Sequence, residues 1–215
     1  MAKISMVVLG LGWAPLMAQE DPSAPRVNWR GQDCESKASL EPGSASGVQI
    51  RFSDVFVGVR KQSPWKNFKC LIDIVQDAKE GIQFKRSQVR LFGTLKLPGF
   101  FNTTSAQVSV RFAPIGGVPS GFAGSIWKAP RVEDWLLEAP ASQEDRSHTW
   151  WPCGAEAHWN VWISAVARYV RVPVDHGIGV APPNTSLDLS LEDEQEGIGL
   201  SKLEIPEVEW RKCEK

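Results

Sequence analysis

The chain has 215 residues, 42% of them hydrophobic and 23% charged, enough to bury one core but not several large domains. Its 24 Lys and Arg against 25 Asp and Glu leave a net charge of -1, which argues against binding nucleic acid or an anionic membrane through a generally basic surface. Ten Trp against a single Tyr, and an even number of Cys, are the compositional features left to explain.

In chain order, Met1-Ala2-Lys3 is a short positive start, followed by an apolar run from Ile4 to about Leu16. A run of roughly 12 apolar residues is too short to span a bilayer but fits the core of a signal peptide. Residues 1–18 are therefore expected to be a signal peptide cleaved after Ala18; a buried N-terminal helix or strand is the alternative. The chain is predicted to be secreted, with no membrane insertion.

An oxidising compartment changes how the cysteines read. Cys34, Cys70, Cys153 and Cys213 are expected to form two disulfides, since none has a Cys or His within four residues to suggest a metal site. Three pairings are open, and we favour Cys70–Cys153 with Cys34–Cys213 tying the termini. The same route makes the sequons Asn102-Thr103-Thr104 and Asn184-Thr185-Ser186 usable for glycosylation.

Residues 19–47, rich in Pro, Ser, Gly and charge, read as an extended lead-in (19–32 outside the domain) with little regular structure. From there the period is two. Val48 to Phe52 and Val55 to Val59 are separated by a short break, and Cys70 to Val75 is the next strand. Ile82 to Phe84 precedes Val89 to Leu97, where Val89, Leu91, Leu95 and Leu97 share one face. Gln107 to Phe112 alternates most cleanly, and a Gly/Pro loop over 114–121 separates it from Phe122 to Trp127. Asp134 to Glu138 is a short strand or a single helical turn.

Ala157 to Val172 is the longest element. Trp159, Val161, Ile163 and Ala165 would share one face, with Trp162, Val166 and Val170 on the other. Apolar residues on both faces predict a central strand, and the density of Val and Ile disfavours the rival helix. Asp188 to Glu196 is acidic with no basic residue, so 191–215 reads as an acidic tail pinned by Cys213. The expectation is all-β: a disulfide-stabilised antiparallel β-sandwich of eight or nine strands in one domain, residues 33–190.

Several short motifs, in order, resemble the family known as domain of unknown function 4360, small secreted proteins found largely in fungi. They are Phe52-Ser53-Asp54 with Phe56, Lys66-Asn67 before Cys70, Gly81-Ile82-Gln83-Phe84, Phe92-Gly93 before Leu97, and Trp150-Trp151-Pro152-Cys153-Gly154. The resemblance spans 33–190 and implies a secreted β-rich protein; the family is uncharacterised, so it supplies no activity and no catalytic residues to carry over. The chain departs from that pattern at Asp33-Cys34-Glu35, at the wider spacing of Lys66-Asn67 to Cys70, and in the added segment Glu196 to Lys215.

Catalytic motifs are absent from the sequence. His148, His158 and His176 lie in no nucleophile context, and there is no Gly-x-Ser-x-Gly elbow, zinc spacing, phosphate loop or dinucleotide fingerprint. No cofactor, metal or catalytic residue is predicted. The leading expectation is a non-enzymatic extracellular protein at a cell wall or host surface, with a polysaccharide or surface protein as partner. The alternative is a carbohydrate-binding module in which Trp65, Trp127 and Trp135, placed in or beside loops, stack on sugars. Their competing role is to cover the open edges of the sandwich. A hydrolase with paired carboxylates is a weaker third reading.

Overall fold

The computed structural model describes residues 25–41, 47–60, 63–77, 79–85, 88–99, 104–114, 121–140, 150–169, 195–205 and 209–214. Its elements are β1 (Arg26–Arg30), α1 (Gln32–Glu35), β2 (Ala38–Glu41), β3 (Val48–Val59), β4 (Trp65–Gln76), β5 (Ile82–Lys85) and β6 (Gln88–Leu97). They continue with β7 (Thr104–Pro114), β8 (Gly121–Lys128), β9 (Arg131–Pro140), β10 (Ala157–Tyr169), β11 (Glu196–Ile205) and β12 (Glu209–Lys212). One five-stranded sheet runs β1-β4-β10-β7-β8 and a second runs β2-β3-β11-β6-β9, with β12 and β5 forming a small third sheet. All the pairings are antiparallel.

The expected all-β sandwich is therefore present, with more strands than the eight or nine expected. Alternation builds it. In β7, Ala106, Val108, Val110 and Phe112 turn inward while Gln107, Ser109 and Arg111 turn out. In β6, Val89, Leu91, Leu95 and Leu97 are all buried, as their spacing predicts. Inward residues of the two sheets, such as Ile72 and Ile163 against Ile50, Leu91 and Leu203, form one core. The longest predicted element is a strand, and β10 is central in its sheet.

The two predicted strands at 48–59 are one. Val48, Ile50 and Phe52 point inward, and so do Val55, Val57 and Val59, an even-to-odd change of parity. Such a change needs an irregularity, and Asp54 supplies it with φ 55°, a left-handed conformation that Asp tolerates better than most residues. The partner strand β11 shifts register at the same level, between Leu200 and Lys202.

Three expectations are corrected. The lead-in is not unstructured: β1 is an edge strand on β4, and β2 an edge strand on β3. Edge strands need few apolar residues, and Val27 and Trp29 are all that β1 turns toward the core. Residues 191–215 are not a tail, because β11 is the middle strand of the second sheet, between β3 and β6. The sandwich thus extends beyond 33–190 at both ends.

The disulfides are Cys34–Cys70 and Cys153–Cys213, not the pairing favoured from sequence. Topology explains both. Arg30 lies opposite Leu71 on β4, so α1 immediately follows alongside and brings Cys34 to Cys70, with Cα atoms 5.2 Å apart. Cys153 and Cys213 flank one turn: Gly154 N–H donates to Ile82 O, and Cys213 N–H donates to Gly81 O.

Candidate functional site

The outer face of the first sheet follows from parity. Antiparallel partners directly opposite one another share a face, so the pairs Trp162–Leu71, Trp162–Arg111 and Arg111–Phe122 define one row across β4, β10, β7 and β8. Two residues further along β10, Ser164 lies between Lys69 and Ser109; two further still, Val166 lies between Asn67 and Gln107. The last row sets Trp65, Arg168, Ser105 and Lys128 side by side. Its register makes all of these neighbours on the side opposite the core.

Large apolar side chains are exposed on that face: Trp65 is 58% exposed, Trp162 38%, Phe122 68% and Ile126 60%. They stand among hydrogen-bonding groups, with Asn67 and Gln107 between the Trp162 row and the Trp65 row. Two-residue steps of about 6.7 Å place those rows about 20 Å apart. Arg111 stands over the Trp162 ring, its guanidinium carbon 5.6 Å from the centroid, and so fixes the indole beside it. Arg168 is oriented by donating from Nε to Ser105 Oγ at 3.1 Å.

A polar row closes the face toward the other end. Asn28, Asp73 and Asn160 lie opposite one another on β1, β4 and β10. Asp73 accepts an ion pair from Arg30 at 2.7 Å, while its Oδ1 and the Oδ1 of Asn160 are buried without a hydrogen bond among the described residues. These oxygens are closed to solvent and belong to the sheet, not to an open site.

The predicted tryptophans divide. Trp65 is on the exposed face, at the first residue of β4 and not in a loop. Trp127 and Trp135 are also in strands, but each is only 6% exposed. They meet ring to ring at 5.7 Å where β8 of one sheet approaches β9 of the other, which makes them the seal of an open edge and not platforms. Trp162 is a residue that sequence reading assigned to the core; its parity relative to Trp159 was visible, but the apolar Val166 on the same side suggested a second covering layer. Phe122 and Ile126 share that signal: they lie five and one residues before the buried Trp127, odd separations that put them on the opposite face of β8.

Other candidates are structural or lie elsewhere. His158 is engaged by Glu156, which also pairs with Arg26 at 2.8 Å, in a surface network completed by Asp77. His148, His176, the sequons at Asn102 and Asn184, and residues 1–18 lie outside the described residues. Trp150 is held between Arg211 and Lys85, at 4.4 and 5.7 Å, and Trp151 packs on Trp159. Among the described residues no group of three or more His, Cys, Asp or Glu gathers as a metal site.

No protein-family model matches the chain, and no curated protein does. Among solved structures, the carbohydrate-binding module TmCBM61 in complex with β-1,4-galactotriose aligns at 7% identity and TM-score 0.24, covering 90% of this chain and 91% of that one. A carbohydrate-binding module of promiscuous specificity from the β-sandwich superfamily also aligns at 7% identity and TM-score 0.24, over 91% and 95%. HutD from Pseudomonas fluorescens aligns at 8% identity and TM-score 0.14, over 87% and 100%. Likeness at this level carries no argument about ligands.

Proposed function

We propose that the protein is a non-catalytic extracellular binding protein that holds a polysaccharide chain along the outer face of its first sheet. One observation carries this reading: Trp65, Trp162 and Phe122 are exposed on one sheet face, in register with the amide and hydroxyl side chains of Asn67, Gln107, Ser109 and Ser164. Aromatic faces take the apolar C–H face of a sugar ring, and the amides and hydroxyls between them exchange hydrogen bonds with its rim. A face of about 20 Å along the strands suits several sugar units in a row. A secretory location is supported by two disulfides, which persist in oxidising compartments, together with the signal-peptide character of residues 1–18.

The test is co-sedimentation with insoluble polysaccharides and a glycan array, read together with intrinsic Trp fluorescence. Binding is expected, with a spectral change, and Trp162→Ala is expected to weaken it at least about tenfold, on the scale of a buried aromatic contact. Trp127→Phe leaves the exposed face untouched and should bind as the parent does. Binding to no glycan, or binding insensitive to both Trp65→Ala and Trp162→Ala, overturns the reading.

A further inference from the structure

The chain is electrically balanced as a whole, but the face just described is not. From the Trp162 row to the Trp65 row its charged residues are Arg30, Lys69, Arg111, Arg168 and Lys128, and among the described residues of those rows there is no carboxylate. Arg30 is neutralised by Asp73 at its edge. Asp33 lies at the rim, where its Oδ2 accepts from the backbone N–H of Lys69 and not from the ammonium group. Lys69, Arg111, Arg168 and Lys128 have no ion-pair partner among the described residues; elsewhere Arg26, Arg51, Lys85 and Arg90 are paired with carboxylates, while others such as Lys66 and Lys96 are not.

Resting on the carbohydrate-binding reading, we infer that the ligand is an acidic polysaccharide carrying carboxylates along its length, a polyuronate, with Arg111, Arg168, Lys69 and Lys128 as its charge partners. The cations fall at three levels of the face, Arg111 at the first, Lys69 at the next, and Arg168 with Lys128 at the last, and are not gathered in one cluster. Arg111 and Arg168 are separated by three two-residue steps, about 20 Å along the strands, with Lys69 between their levels. Charges distributed along the strands match a chain that carries its carboxylates along its length, whereas a densely sulfated chain calls for a cluster. The guanidinium fork pairs with a carboxylate through two parallel N–H donors, and Arg111 offers it next to the Trp162 ring on which the sugar would stack. A ring on Trp162 thus brings its own carboxylate within reach of Arg111, so platform and charge partner act on one sugar unit.

The experiment uses the full protein and one polymer in two charge states: polygalacturonate, and the same chain with its carboxyl groups reduced to neutral galactose units. Binding is measured by calorimetry at about 50 and about 300 mM salt, since exposed charge contacts are screened across that range. The acidic chain is expected to bind about tenfold more tightly at low salt, an advantage that shrinks at high salt and in Arg168→Gln/Lys128→Gln. Equal binding of both chains overturns the inference and leaves the polysaccharide reading intact. Binding to neither chain nor to any other glycan overturns both. Dextran sulfate is the charge control: tighter binding to it than to polygalacturonate overturns the uronate assignment. Circular dichroism of the double variant separates lost charge from lost fold.

Discussion

Gly93 shows how far one side chain constrains this sandwich. It lies directly opposite Trp135 in the β6–β9 pair, and a Cβ built on it would come within 2.2 Å of the indole and 2.1 Å of the Gly199 carbonyl oxygen. Only hydrogen fits there, so the large ring of Trp135 and the missing side chain of Gly93 are one packing unit. Gly93→Ala is expected to cost about 2–3 kcal/mol, the upper range of core overpacking, read from urea denaturation midpoints at unchanged slope. Trp135→Phe in the same chain removes the ring conflict but not the carbonyl conflict, so the double variant should recover part of the loss and not all of it. This pair also shows why sequence misjudged Trp135. A Trp in Asp134-Trp135-Leu136 looks like a ring in need of a partner outside the fold, and the space it fills was written as a glycine 42 positions away in β6, invisible without the register. Trp65 opens β4 on the outer face, opposite Arg168, where no element among the described residues covers it and 58% of it stays exposed.

At the scale of elements, what matters is position in the sheet, and local pattern reports it unevenly. The strands β6, β7 and β10 were readable because their alternation of inward and outward residues runs unbroken. The strand β11 was not, although it is central. Its inward Ile198 and Leu200 and its inward Leu203 and Ile205 are out of phase by one residue across the irregularity at Ser201, and Gly197 and Gly199 dilute the pattern further. An acidic approach from Asp188 completed the disguise. The same amino acid therefore carries unlike weight in β11 and in an edge strand. Leu203 is fully buried between β3 and β6, while Leu136, on edge strand β9, is 47% exposed. Leu203→Ala is expected to lower stability by about 2–5 kcal/mol, and Leu136→Ala by about 1 kcal/mol or less, in matched denaturant titrations. Similar losses at both sites would mean that β11 does not hold the centre of its sheet.

For the whole molecule, the two disulfides divide the labour between sandwich and appendage. Cys34 and Cys70 are 0% and 3% exposed, and their bridge fastens the segment after edge strand β1 to β4 beneath the first sheet. Cys153 is exposed, and its bridge to Cys213 fastens the end of β12 to the turn that leads into β10, beside the Gln76 end of β4. That end is eleven residue steps from Trp65, about 35 Å along the strand, and five steps, about 17 Å, from the Leu71 level at which Trp162 and Phe122 lie. Thiol–disulfide exchange needs a sulfur that an attacking thiolate can reach, and only the second bridge offers one while the core stays closed. Native protein treated with a mild reductant and then alkylated should gain label at Cys153 and Cys213 first, with Cys34 and Cys70 protected until denaturant opens the sandwich. Peptide mass mapping reads that order. Loss of the outer bridge removes the constraint on a loop of 60 residues, worth about 4 kcal/mol in the chain-entropy model, and should lower the transition midpoint. Glycan binding measured on the selectively reduced protein below that midpoint should match the oxidised protein, because the bridge ties β12 to the turn before β10 and holds no residue of the rows from Trp162 to Trp65. Early labelling of Cys34 and Cys70, or binding lost together with the outer bridge, would show that the β5–β12 appendage and the sheet face are one cooperative unit.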